Sequence, residues 1–208
     1  MIQQALQWSY PAHSWWFTPT ANTTGYWKLD GDSLDSSSYW HNWTSTSVTF
    51  VAGKVWQAGS YWWASKTIMA AWNNYFYWAS EVFMWAWVKT TQSWEWWVLV
   101  EWPWNYEVLW VYSTGKAVGF VDTGNRVQST TTINDGAWHH IALTYRAGVV
   151  YIWVDWVWEA SQTQTNYFWL WSRTFNIWAT DSWAIPFVWL IDDVICENVW
   201  WDSTKYLD

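Results

Sequence analysis

Cysteine is nearly absent from this sequence: Cys196 is the only one in 208 residues. No intrachain disulfide and no Cys-based zinc site can form from it. Positive charge is scarce as well, with 9 Lys and Arg against 17 Asp and Glu. The basic residues are scattered from Lys28 to Lys205 without a patch, which argues against a nucleic-acid partner. Long apolar runs are missing. The longest, such as 82–88 and 149–154, have the length of a strand, short of the roughly 18 residues that mark a membrane span. Residues 1–24 lack the basic start and apolar stretch of a signal peptide, so the expectation is a piece of a longer exported protein. No sustained 3.6-residue periodicity appears, so helices should be few and short.

Tryptophan, by contrast, is in excess: 30 residues, beside only 9 glycines. Four Trp-Trp doublets occur, at 15–16, 62–63, 96–97 and 200–201. Several single Trp stand where turn chemistry asks for a small residue. Val154-Asp155-Trp156-Val157 joins two β-rich runs, where Asp-Gly is the expected turn pair. Asn42-Trp43-Thr44, Ala71-Trp72-Asn73 and Pro103-Trp104-Asn105 read the same way. A bulky Cβ-bearing residue is a poor choice for positive φ. One reading is that most of these Trp stand for glycine, through a stop codon reassigned to Gly. The other is a truly Trp-rich surface that stacks on sugar rings.

Residues 1–24, with Pro11 and Pro19, read as an irregular lead-in. Its start, 2–6, suits the end of an upstream stalk or pilin-like helix. From Gly25 to Asp208, short β-rich runs alternate with turn residues. Strands are expected at 25–29, 47–51, 66–70, 81–90, 96–102, 106–112, 117–122, 127–133, 138–145, 149–155, 173–178 and 187–197. That spacing predicts one all-β domain, an antiparallel two-sheet β-sandwich.

Several segments then carry a family resemblance. Gly25-Tyr26-Trp27-Lys28-Leu29-Asp30-Gly31 resembles an opening jelly-roll strand, followed by the Asp-rich stretch Leu34-Asp35-Ser36. Gly53-Lys54-Val55-Trp56-Gln57-Ala58 is similar to a "GKxGxA" turn, with Trp56 in the Gly slot. Phe83-Met84-Trp85-Ala86-Trp87-Val88-Lys89 resembles an "FTxxxWVK" strand. Asp135-Gly136-Ala137-Trp138-His139-His140-Ile141-Ala142-Leu143-Thr144-Tyr145 resembles "DGxWHHIALTY". Tyr151 to Trp156 resembles "LYVDG", and Phe187 to Val194 resembles "FxGxIDDV", with Trp156 and Trp189 in Gly slots. In order and together, these resemble the laminin G-like domains of the concanavalin A-like jelly-roll class. Trp27, Trp87 and Trp138 stand where that class itself uses Trp.

The resemblance implies a non-catalytic carbohydrate-binding or adhesion module, secreted or on a cell surface. The alternative is a protein–protein adhesion or structural module without a sugar site. It also implies a structural Ca²⁺. Asp30, Asp35 and Asp192 are the expected ligands, because hard carboxylate oxygens suit that ion and the two ends of such a jelly roll are neighbours. Asp193 should face away from Asp192 unless a bulge intervenes. Polar-aromatic loops supply the expected ligand contacts: Asn73, Asn74, Tyr75 and Tyr77 foremost, with Asn105-Tyr106 and Asn166-Tyr167 as others.

Enzyme chemistry is not expected. A retaining glycosidase needs two carboxylates roughly 5 Å apart. None of the six glutamates has an acidic residue two positions away on its strand. Neither a nucleophile elbow nor a phosphate loop occurs, even with glycine restored at every Trp. Adjacent His139 and His140 point to opposite faces of a strand and cannot share one metal ion.

Overall fold

The computed structural model describes residues 17–61, 66–69, 81–93, 96–102, 107–121, 125–164, 174–178 and 189–198. The strands among them are β1 (Thr23–Trp27), β2 (Trp43–Thr46), β3 (Thr49–Ala52), β4 (Gln57–Tyr61), β5 (Lys66–Met69), β6 (Glu81–Lys89), β7 (Trp96–Trp102), β8 (Glu107–Val111), β9 (Lys116–Val121), β10 (Val127–Thr132), β11 (Trp138–Arg146), β12 (Val149–Val154), β13 (Val157–Thr163), β14 (Thr174–Trp178) and β15 (Trp189–Glu197). They form two antiparallel sheets. The first runs β13-β12-β11-β6-β15-β4-β3, with β1 also on β15. The second runs β10-β9-β8-β7-β14-β5-β2. The chain is an all-β sandwich.

The core follows from period-2 alternation. On β6, Val82, Met84, Ala86 and Val88 face the second sheet; on β11, Ile141, Leu143 and Tyr145 do so. Val150, Ile152 and Val154 of β12 complete that inner layer against Leu109, Val111, Ala117 and Val121 of β8 and β9. Gly119 marks a close approach: a Cβ there would lie 2.3 Å from Leu143 Cδ1. The other face of the first sheet carries a second aromatic layer of Tyr26, Phe83, Trp85 and Trp87.

β15 organises the end of the molecule that bears the acidic residues. Its first half pairs with β4 (Trp189↔Tyr61, Ile191↔Gly59). Its second half pairs with β1 (Val194↔Trp27, Cys196↔Gly25). The change of partner falls at Asp192-Asp193, where the pairing with β6 also slips in a bulge. Asp193 sits at φ +46 there. A bulge re-aims side chains in this way, so the simple alternation expected for Asp192 and Asp193 does not hold.

Candidate functional site

The segment between β1 and β2 is a loop built around one carboxylate. Asp35 forms a lone bridge with Trp27, which hangs the loop on β1. Asp35 Oδ1 accepts from the backbone N–H of Tyr26 at 2.9 Å and of Ser37 at 2.8 Å. Its Oδ2 accepts from Ser37 Oγ and from the N–H of His41, both at 2.7 Å. The N–H of Asp35 donates to Asn42 Oδ1 at 2.8 Å. Asp32 Oδ1 caps the turn by accepting from the N–H of Leu34.

These bonds give the loop an alternating surface. Ser33, Asp35 and Ser37 are buried, while Asp32, Leu34, Ser36 and Ser38 are exposed. Tyr39, Trp40 and Asn42 complete the exposed set. The Tyr39 ring lies 5.6 Å from the half-buried ring of His41. His41 Nδ1 donates to the carbonyl of Thr24 at 2.8 Å. Burial pulls the His41 pKa below the ordinary imidazole value, against that bond and the Asp35 charge, so the ring is neutral at pH 7. Trp27, fully buried in the core, donates its indole N–H to the carbonyl of His41 at 2.8 Å. A rigid loop thus presents an aromatic face, an imidazole, an amide and hydroxyls to solvent. That is the chemistry by which a protein surface holds a polar ring: stacking on the aromatic face, hydrogen bonds at the rim.

The acidic cluster sits beside this loop. Asp30 Oδ1 accepts from the N–H of Gln57, and Asp192 Oδ2 accepts from the N–H groups of Lys54 and Val55. Both therefore hold the turn between β3 and β4. Gly53 admits Asp192 here: a Cβ would lie 2.6 Å from Asp192 Oδ2. Asp193 Oδ1 accepts from the Tyr26 hydroxyl at 2.9 Å. Burial, then the charge of Asp192, pushes Asp193 up to about 7. Burial raises Asp192 to about 6, and its Oδ1 is buried without a hydrogen-bond partner among the described residues.

Asp30, Asp35 and Asp192, the residues expected to hold Ca²⁺, each accept hydrogen bonds from backbone N–H groups. The two oxygens of Asp35 already accept four hydrogen bonds within the loop. Among the described residues no three His, Cys, Asp or Glu side chains are grouped to hold a metal ion. Asp30 and Asp192 meet as neighbours of one turn, and their counterparts are backbone N–H groups. Asn73, Asn74, Tyr75 and Tyr77 lie outside the described residues, as do Asn105-Tyr106 and Asn166-Tyr167.

The histidine pair separates across the β11 strand. His139 is held between two turns, with Nδ1 2.8 Å from Asp155 Oδ2 and Nε2 3.1 Å from Asp135 Oδ1. His140 lies on the outer aromatic face, 1% exposed, with its ring stacked at 3.5 Å on Trp156. Burial drives its pKa to about 3. Three of the glutamates, Glu81, Glu159 and Glu197, have structural partners. Glu81 pairs with Arg146 at 2.9 Å, Glu159 accepts from the N–H groups of Thr130 and Thr131, and Glu197 accepts from Thr23 Oγ1.

Sequence reasoning passed over Tyr39 and His41. The signal was present in the run Ser36-Ser37-Ser38-Tyr39: an aromatic residue after three hydroxyl residues, next to a lone histidine.

No protein-family model matches the chain, and no curated protein sequence does. Solved structures match it in fold. The binding domain of Paraclostridial Mosquitocidal Protein 1 gives a TM-score of 0.73 at 12% identity, over 88% of this chain and 50% of that one. The binding domain of botulinum neurotoxin DC, in complex with rat synaptotagmin II, gives 0.74 at 11% identity, again over 88% and 50%. Domain 4 of AbnA is part of an extracellular arabinanase from Geobacillus stearothermophilus, solved in complex with arabinotriose. It gives 0.64 at 16% identity, over 85% of this chain and 92% of that one. The chain spans about half the length of the toxin domains. At these identities the likeness shows a shared β-sandwich fold.

Proposed function

We propose that this chain is a non-catalytic glycan-binding module of a secreted or cell-surface protein, of the laminin G-like, concanavalin A-like class. The observation that carries the reading is the loop fixed by Asp35, which holds exposed Tyr39 and Asn42 beside half-buried His41 in one hydrogen-bonded arrangement. Preorganisation of this kind lowers the cost of ordering a loop around a sugar. The fold neighbours support the same direction. The AbnA domain was solved with arabinotriose. Cell entry of botulinum neurotoxin type C depends on interaction with two ganglioside molecules.

A protein-adhesion reading has one observation in its favour, the synaptotagmin complex of a fold neighbour. The two readings separate in a glycan array probed with the chain, paired with competition by free oligosaccharide. Binding to sugar spots that free sugar displaces supports the glycan reading. Capture by a protein surface that sugar does not displace, with blank sugar spots, overturns it.

A further inference from the structure

Consecutive hairpins of the first sheet are closed by the same kind of turn, and the contrast that matters lies at its second position. Ala147-Gly148 joins β11 to β12 with φ of +49° and +79°. Asp155-Trp156 joins β12 to β13 with φ of +49° and +67°. Two positive φ values define the tight turn whose twist suits a hairpin, and its second position favours glycine. At 148 the chain has glycine, with open space around it. At 156 it has tryptophan, a residue for which positive φ is a genuine outlier.

The side chain at 156 creates a second conflict. Its indole stacks on His140 at 3.5 Å with an interplanar angle of 16°, and its ring also meets Trp85 and Trp87. Both imidazole nitrogens of His140 are buried without a hydrogen-bond partner among the described residues. Buried polar atoms normally find partners. Removing the ring at 156 would open His140 to water and relieve the turn at the same time.

Trp40 repeats the backbone conflict. It sits at φ +58 and is 78% exposed, so little packing offsets the strained conformation. Trp27 shows what a fitting tryptophan looks like in this fold. It lies within β1, is fully buried, and its indole N–H donates to the carbonyl of His41. Geometry therefore sorts the tryptophans into those the backbone accepts and those it does not.

We infer that positions 40 and 156 are made as glycine in the source of this protein, from UGA codons that a code assigning UGA to tryptophan renders as Trp, whereas position 27 is made as tryptophan from UGG. The inference does not rest on the glycan reading and survives its failure.

The test is peptide mass spectrometry on the protein isolated from its source, read together with the codons of its gene. Glycine at 40 and 156 with UGA at both, and tryptophan at 27 with UGG, is the expected result. Tryptophan at either 40 or 156 overturns the inference. Glycine at all three overturns it as well, because the geometric sorting would then have no content.

Discussion

The indole N–H of Trp27 donates to the backbone carbonyl of His41 at 2.8 Å. One bond thus joins the buried end of β1 to the loop that carries the candidate site. Trp27 also stacks on Trp43 at 3.9 Å between ring centroids, so the loop is held at both of its ends. Trp27→Phe keeps most of the buried area and removes the donor. A loss of about 1–3 kcal/mol is expected, the range for leaving a partner without its hydrogen bond away from water. Urea unfolding measures it. Weakened sugar binding should accompany the loss, because the His41 backbone is no longer fixed.

Asp35 is the stronger staple. Asp35→Asn leaves one acceptor oxygen where two oxygens now accept four bonds. The new amide N–H would oppose N–H donors of the loop. A cost of about 3 kcal/mol or more is expected, since bonds to a charged group are among the stronger ones. Amide exchange should show faster opening of residues 36–42, with β6 and β11 unchanged. Uniform exchange across the chain would contradict the loop-staple role.

His139 makes stability depend on pH in a set direction. Burial opposes its charge, but the bonds to Asp155 and Asp135 outweigh burial and raise its pKa above the ordinary value. A raised folded pKa adds stability that is fully present below the unfolded value of about 6.5 and is lost as pH rises through the folded one. The gap in Tm between the native sequence and His139→Asn should therefore be larger near about pH 5.5 than near about pH 8.5. A gap that grows with pH would contradict the clamp.

Asp193 has the same sign from a different cause. Burial and the neighbouring Asp192 raise it to about 7. The folded state then holds a proton that the unfolded state has released, from about pH 4 upward. Stability is lost as pH climbs through about 7. Asp193→Asn keeps an acceptor for the Tyr26 hydroxyl and suits the φ of +46. The variant should be more stable than the native sequence at about pH 8 and show a flatter pH profile in thermal melts. A variant less stable at that pH would overturn the assignment.

The strongly patterned strands were legible in the sequence. β6, β11 and β12 carry runs of apolar residues of strand length, and the expected runs 81–90, 138–145 and 149–155 overlap them closely. Three strands were not. β2 reads Trp-Thr-Ser-Thr with three exposed positions, and β13 is mostly polar, so neither shows an apolar face. β4 is buried through Ala58, Gly59 and Ser60, small residues that carry little strand signal. The acidic residues were legible as a group, but the backbone N–H groups that converge on them were not. Whether a carboxylate meets a cation or backbone N–H groups depends on which amides converge on it. For Asp35 those amides belong to a loop whose path is not periodic. The bulge at Asp193 was hidden for the same reason: positive φ at a non-glycine residue leaves no mark in the sequence.

The central claim, that the Asp35 loop forms a glycan site, is tested most directly by amide chemical-shift mapping. The isotope-labelled chain would be titrated with an oligosaccharide that scores on the array, beside the Tyr39→Ala variant. The account predicts shifts concentrated at residues 36–42, and their loss in a variant whose Tm stays close to the native value. Shifts centred elsewhere, or unchanged affinity in Tyr39→Ala, would contradict it.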